Sequence, residues 1–263
     1  MSDQKVEQKL QFVFVHGAGH GGWCWYNIRS LLESVGHKVT CIDLKGGGID
    51  LTDANTIKTF KEFNEPLVSF FSSLPADEKV ILVGHSAGGL NITEILHKFP
   101  NNIHVAVYIA AIMMKNGISL PHGTRKLPCF PEEDLCDYIF QKLEDKIKNL
   151  IPSSVIIKPE HQRQRLYNMS PIEDSTLASM LLRPYPVWPM FDAGFNDTTD
   201  VDSIPRIYIK TLNDNMMSKL EHDVMILQWK PSKVVTLESD HSPFFSTPLE
   251  LFKALLEAAA SVK

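Results

Sequence analysis

Short apolar runs alternate with stretches of helical periodicity along most of the chain. Phe12 to Val15 is apolar throughout, and from about Trp25 to Ser34 the pattern becomes helical and carries Leu31 and Leu32. This predicts a strand followed by a helix. Lys38 to Ile42 holds the β-branched Val39, Thr40 and Ile42 and predicts a second strand. Phe60 to Phe71 predicts an amphipathic helix that Pro66 should kink or split, because proline removes a helical hydrogen bond and collides with the preceding turn. Strand, helix and strand follow again at Val80 to Val83, about Gly88 to Lys98, and Val105 to Ala110. Such a rhythm is expected of parallel strands joined by right-handed crossovers. It breaks from about Met114 to Pro189, where the chain turns Pro-rich and charged, with helical periodicity in Glu133 to Leu150 and Ile172 to Leu182. Strand-like runs return at Ile207 to Ile209 and Val234 to Leu237, and Leu249 to Ala260 predicts a closing helix. The expected organisation is an α/β core from residues 1–113 and 190–263, with a mainly helical lid inserted at 114–189.

Composition narrows the function. With 44% apolar and 22% charged residues in 263, the chain is an ordinary globular one with a sizeable core, not a disordered scaffold. A net charge of −5 argues against an electrostatic grip on nucleic acid or anionic lipid. Cys24, Cys41, Cys129 and Cys136 are too few and scattered for a disulfide framework and suit a reducing compartment. The polar start MSDQKVEQKL, with no apolar run near the roughly 18 residues of a membrane helix, makes a cytoplasmic location the expectation.

The chemistry concentrates at Gly84-His85-Ser86-Ala87-Gly88, a G-x-S-x-G pattern between a predicted strand and a predicted helix. That context places Ser86 on a tight turn with its hydroxyl exposed at the carboxyl edge of the sheet, and marks it as a nucleophile. The alternative is a tight turn with an idle serine. A serine hydroxyl needs a base, and the acid and histidine are expected in that order after it. His16 and His85 precede or abut Ser86, while His104, His122, His161 and His222 sit where a solvated or hydrogen-bonded ring is the plain expectation. His241 follows the last predicted strand by the turn Glu238-Ser239-Asp240 and is the candidate base. Asp214, just beyond the strand ending at Lys210, is the candidate acid. Asp240 is expected to serve its turn, and Asp200, Asp202 and Asp223 to be solvated or capping carboxylates. Backbone N–H groups of Ala87, after the nucleophile, and Ala18, in the Gly-rich loop after the first strand, are the candidate oxyanion donors. The same loop can be traced as a dinucleotide fingerprint through Gly17, Gly19 and Gly22, but no acidic residue sits at the expected ribose position beyond Asp43 as a candidate, so this reading is weak.

Four segments, FVFVHGAGHGGWCWY, GHKVTCIDL, DEKVILVGHSAGG and ESDHSPF, resemble the plant methylesterase and hydroxynitrile lyase family of α/β-hydrolases. The resemblance runs from about Phe12 to Met113 and from Ser170 to the end, and is weakest between about Lys115 and Tyr167. It implies an α/β-hydrolase fold and a serine carboxylesterase acting on the methyl ester of a plant hormone or specialised metabolite, such as an indole alkaloid, with decarboxylation able to follow. By the same resemblance Ser86, His241 and Asp214 form the triad, and Ala18 and Ala87 hold the oxyanion. No cofactor or metal is implied. The expected partners are a small-molecule ester and, for assembly, a second copy of the chain, with neither nucleic acid nor membrane. Lyases of this family are similar but carry Thr in place of Gly17 and Lys in place of Ser242, and methylketone synthases lack the serine, so those activities rank below the esterase. A hormone receptor on the same fold is the alternative from another class. The acidic run Glu132, Glu133 and Asp134 is expected to be a solvated helix start, with attraction of a cationic ester as a sharper alternative.

Overall fold

A computed structural model describes residues 9–118, 133–140, 151–195 and 201–261. Its centre is a six-stranded parallel sheet. The chain enters at β1 (Gln11–Val15), crosses over α1 (Tyr26–Ser34) to β2 (Lys38–Ile42) on one side, then returns past α2 (Phe60–Phe63) and α3 (Glu65–Ser73) to β3 (Val80–His85) on the other. From there α4 (Gly88–Lys98) leads to β4 (Ile103–Ile109). The inserted part carries β5 (Cys136–Ile139), β6 (Ser154–Ile157), α5 (Pro159–Leu166), α6 (Ile172–Leu181), β7 (Tyr185–Pro186) and α7 (Trp188–Asp192). The sheet then resumes with β8 (Arg206–Thr211), α8 (Lys219–Gln228) and β9 (Lys233–Leu237), and the chain closes with α9 (Pro243–Ser246) and α10 (Pro248–Ala260).

Strand order is β2-β1-β3-β4-β8-β9. Connections leave β1 towards one edge and β3 towards the other, so the crevice between their carboxyl ends is where an open α/β sheet binds ligands. Register puts Val15 beside Gly84, which brings the loop after β1 against the turn after β3.

Alternation along the strands splits the core in two. Val13, Val15, Leu82 and Tyr108 pack towards α2, α3, α4 and α8, whose Phe63, Leu67, Ile95 and Met225 cover that face. Phe12, Phe14, Ile81, Val107 and Ile209 pack the opposite way, against Trp25, Ile28, Leu32, Phe244 and Leu255. Both faces of the sheet are thus buried, which is why its strands read as continuous apolar runs.

One expectation is met by a split and one changes. The helix predicted over Phe60 to Phe71 is two helices, broken at Asn64, with Pro66 in the first turn of α3, where its missing N–H costs nothing. The break is held by the buried Asn64, whose Nδ2 donates to Glu94 Oε2 at 2.6 Å and to the Asn91 carbonyl. The helix predicted over Glu133 to Leu150 is contradicted in its described part: Glu133–Leu135 is a single 3-10 turn and Cys136–Ile139 is a strand. That strand joins the antiparallel sheet β5-β6-β7. Strands of four, four and two residues are too short to show a period of two, so helical spacing prevailed in the sequence. The small sheet is tied to the core through Ser153 Oγ and Ser154 Oγ, which both donate to Asn55 Oδ1, and α7 through Asp192, which accepts from the Phe60 N–H. His122, Cys129, Glu132 and Asp200 lie outside the described residues.

Candidate active site

Ser86 stands at the end of β3 with φ of +53°, a left-handed conformation costly for a residue with a side chain. Its backbone is pinned on both sides, the N–H donating to the Ile109 carbonyl at 3.1 Å and the carbonyl accepting from Ile112 at 3.0 Å. The glycine at 88 is required by contact, since a Cβ there would lie 2.4 Å from the His16 carbonyl oxygen. Gly17 is equally confined: a Cβ would fall 2.8 Å from the Ser86 Cβ, so this site has no room for the threonine that the similar lyases carry.

Ser86 Oγ lies 3.0 Å from His241 Nε2, and His241 Nδ1 lies 2.7 Å from Asp214 Oδ2. Because Asp214 accepts at Nδ1, that nitrogen carries the proton and Nε2 is left to accept from the serine hydroxyl. The three predicted residues are therefore within hydrogen-bond reach of one another. Asp214 is surrounded by donors. Its Oδ1 accepts from the backbone N–H groups of Met216 and Met217, at 2.8 and 2.7 Å, and its Oδ2 also accepts from Thr211 Oγ1 at 2.8 Å. Burial alone would raise its pKa, but the charge of His241 and the hydrogen bonds from His222, His241 and Met217 outweigh burial and hold the carboxyl well below the usual range.

Four further groups support the site, and sequence reasoning gave none of them this place. His222, set aside as a plain helix residue, is fully buried with Nε2 3.4 Å from Asp214 Oδ2 and Nδ1 2.9 Å from Tyr208 Oη. His85, inside the motif itself, donates from Nε2 to the His241 carbonyl at 2.8 Å and so fixes the backbone of the base. Burial, followed by the charges of His241 and His20, keeps His85 neutral by pushing its pKa well down. His20 donates from Nδ1 to the Ala18 carbonyl and accepts from Tyr167 Oη at 2.7 Å; burial pushes its pKa down to about 3. Asp240 does serve its turn, accepting from the Ser242 N–H and Ser246 Oγ, and it also takes Met169 N–H and Ser170 Oγ from the inserted segment. The one sequence signal for these groups was their polarity, which does not distinguish a support from a surface residue.

The other carboxylates are engaged elsewhere. Asp202 accepts from Lys115 and Trp229, and Asp223 pairs with Lys210. Asp43, the only acid of the dinucleotide reading, accepts from the Gly22 N–H at 2.6 Å and braces the loop instead. Among the described residues no group of three or more His, Cys, Asp or Glu could hold a metal ion, and no helix is long and apolar enough to cross a membrane.

Ser86, Ala87, Ala18 and His241 open onto a cavity with an empty volume of about 750 Å³, its open mouth included. The loop carbonyls of Gly17, Ala18 and Gly19 are each engaged by a donor, from His20 N–H, His20 Nδ1 and Arg183 N–H. The far wall comes from the inserted segment and is mostly apolar, with Val155, Ile156, Ile157, Leu166 and Met190. Cys136 also lines it; burial raises its thiol to about 11, so it stays protonated. Asp134 and Asp137 are exposed and off this wall, so the cationic-ester expectation finds no carboxylate on the described lining.

Comparison with known proteins agrees with this architecture. The alpha/beta hydrolase family matches residues 12–255. The chain is similar to methylesterase 18 of Arabidopsis thaliana, 44% identical over 263 residues that cover 95% of this chain and 97% of that protein. It is likewise similar to the pheophorbidase of Raphanus sativus, 44% identical over 254 residues, covering 95% and 94%. The crystal structure of the methylesterase MES16 from Arabidopsis matches with a TM-score of 0.85 at 41% identity, over 96% of this chain and 100% of that one.

Proposed function

The chain belongs to the plant methylesterase and hydroxynitrile lyase family of α/β-hydrolases, and we propose that it hydrolyses the methyl ester of a plant small molecule through an acyl-enzyme on Ser86. The observation that carries this is the chain of contacts from Ser86 Oγ to His241 Nε2 and from His241 Nδ1 to Asp214. Ser86 Oγ gives its proton to His241 Nε2 and bonds to the ester carbonyl carbon. The negative charge that develops on the carbonyl oxygen is received by the Ala18 and Ala87 N–H groups. When the tetrahedral species collapses, His241 returns the proton to the methoxy oxygen, the C–O bond breaks and methanol leaves. A water molecule, deprotonated by His241, then attacks the acyl-enzyme; the Ser86 ester bond breaks, His241 returns the proton to Ser86 Oγ, and the carboxylic acid departs. Asp214 stays ionised throughout and holds the imidazole in the tautomer that accepts at Nε2.

The mostly apolar cavity suits a drug-sized acyl group better than a short one. Two relatives are named for what they act on, the pheophorbidase and the pFDCC methylesterase, and the second name is that of an enzyme for a methyl ester. Where the ester is that of a β-keto or β-aldehydo acid, the released acid loses carbon dioxide without further catalysis. Lyase activity is disfavoured by Gly17 and by Ser242, which stands where a lyase would hold an ammonium. A cytoplasmic location and assembly as a homodimer complete the proposal. The test is a panel of methyl esters of salicylate, jasmonate, indole acetate and indole alkaloid acids, offered to wild type and Ser86→Ala. Steady multiple turnover of at least one ester, abolished in Ser86→Ala, is expected. Binding without turnover would instead assign the fold to perception, and turnover surviving in Ser86→Ala would overturn the acyl-enzyme.

A further inference from the structure

Besides His241, one ionic side chain lines the cavity among the described residues, and it is Arg183. It lies between α6 and β7 and lines the cavity with Ile156, Leu182 and Met190. Its backbone N–H donates to the Gly19 carbonyl at 2.9 Å, which fixes the residue against the loop after β1. Its Nη1 donates to the backbone carbonyls of Gly48 and Asp50, so the guanidinium is held at one end. Neither Nε nor Nη2 has an acceptor among the described residues, and no carboxylate there pairs with Arg183. Nε and Nη2 form one edge of the planar fork, the edge that takes a carboxylate with two parallel hydrogen bonds. Two residues on, Tyr185 lines the same cavity, and its buried hydroxyl also lacks a partner among the described residues. A mostly apolar lining that carries one arginine with an open edge, paired with no described carboxylate, has the chemistry to receive a negative group.

We infer that Arg183 is a specificity-determining residue that binds a carboxylate on the acyl part of the substrate, so that preferred substrates are methyl esters carrying a second, free acid. This rests on the esterase proposal for the identity of the ligand. The guanidinium orients the acid at one end of the cavity while the ester carbonyl lies at Ser86. Diesters of the same acids fill the same space but leave the fork unpaired.

The test measures binding to Ser86→Ala, which keeps the ester intact. The probes are monomethyl esters of straight-chain dicarboxylic acids of about four to ten carbons and their dimethyl counterparts, titrated calorimetrically. At one or more chain lengths the monomethyl ester is expected to bind at least about tenfold more tightly than the diester. In Arg183→Gln that ratio falls to within about twofold of one, and Arg183→Lys restores part of it, because a point charge replaces a fork. If Arg183 served only to latch the 46–50 loop, both affinities would move together and the ratio would persist. A second measurement needs no change at 183: the ratio shrinks as salt rises from about 0.05 to 1 M, since the attraction is ionic. The inference is overturned if no chain length favours the acid, if the preference survives Arg183→Gln, or if it is indifferent to salt. Wild-type turnover of diesters without an acid preference would refute Arg183 and leave the esterase standing. No turnover of any ester would refute the esterase, while the binding ratios still decide Arg183.

Discussion

The cavity has two walls of opposite character. On the core side, Ser86, His241 and the Ala18 loop are held by hydrogen bonds that come from several elements of the core. On the inserted side, the lining is a row of aliphatic side chains from β6, α5 and the approach to β7, held by packing and by a few anchors such as Asp240 and Asn55. Reaction chemistry tolerates little displacement, whereas a pocket for an acyl group needs only volume and one or two polar marks. On the proposed function the chain separates reactivity from selectivity by element, and substitutions on the two walls are expected to have different signatures.

The largest effect is expected from Asp214→Asn, which keeps the shape of the acid but favours the wrong imidazole tautomer. kcat should fall by about 10⁴ with little change in KM, as seen when a triad acid is neutralised, and steady-state kinetics reads this. A fall of less than about tenfold would break the assignment of the core wall. Next is Gly88→Ala, whose new methyl meets the His16 carbonyl. Overpacking of this kind costs about 1 to 3 kcal/mol, which in a chain of this size lowers the thermal midpoint by several degrees.

A substitution on the other wall sharpens the contrast. Ile156→Trp reduces cavity volume without touching Ser86, His241 or Asp214, so kcat/KM for bulky esters should drop about tenfold relative to small ones while small esters keep their kcat. Equal losses for every ester would show that the inserted wall also positions the catalytic groups. The smallest effect concerns protons. His20 is neutral in the fold because its pKa is lowered to about 3, whereas in the unfolded chain it titrates near 6.5. Its contribution to stability is whole above pH 6.5 and is lost progressively as pH falls towards 3, because the unfolded state binds the proton first. His20→Gln should flatten the acid limb of a denaturation series between those values.

The difference between the walls also explains what the sequence disclosed. Strands buried on both faces, a G-x-S-x-G turn and a histidine after the last strand are local patterns, so Ser86, His241, Asp214 and the order of core elements were all legible. The inserted wall is built from strands of two to four residues whose pairing is set by tertiary contact, and the helix expected over Glu133 to Leu150 failed there for that reason. His222 and His85 were out of reach too. Their place at the site depends on which atoms converge from β8, α8 and the loop after β9, which no spacing along the chain encodes. No pattern along the chain marks Arg183; only the cavity places it among apolar lining residues with one edge of its fork open.

The central claim is that an ester carbonyl becomes covalently attached to Ser86, and rapid-quench mass spectrometry of the intact protein tests it most directly. Mixed with an excess of a methyl ester that it turns over, the wild-type chain should gain the mass of one acyl group within the first turnover, release one equivalent of methanol, and yield a proteolytic fragment modified at Ser86. Asp214→Asn should show the same adduct forming far more slowly, and Ser86→Ala none. Full turnover with no adduct at any time, or an adduct on another residue, would contradict the account.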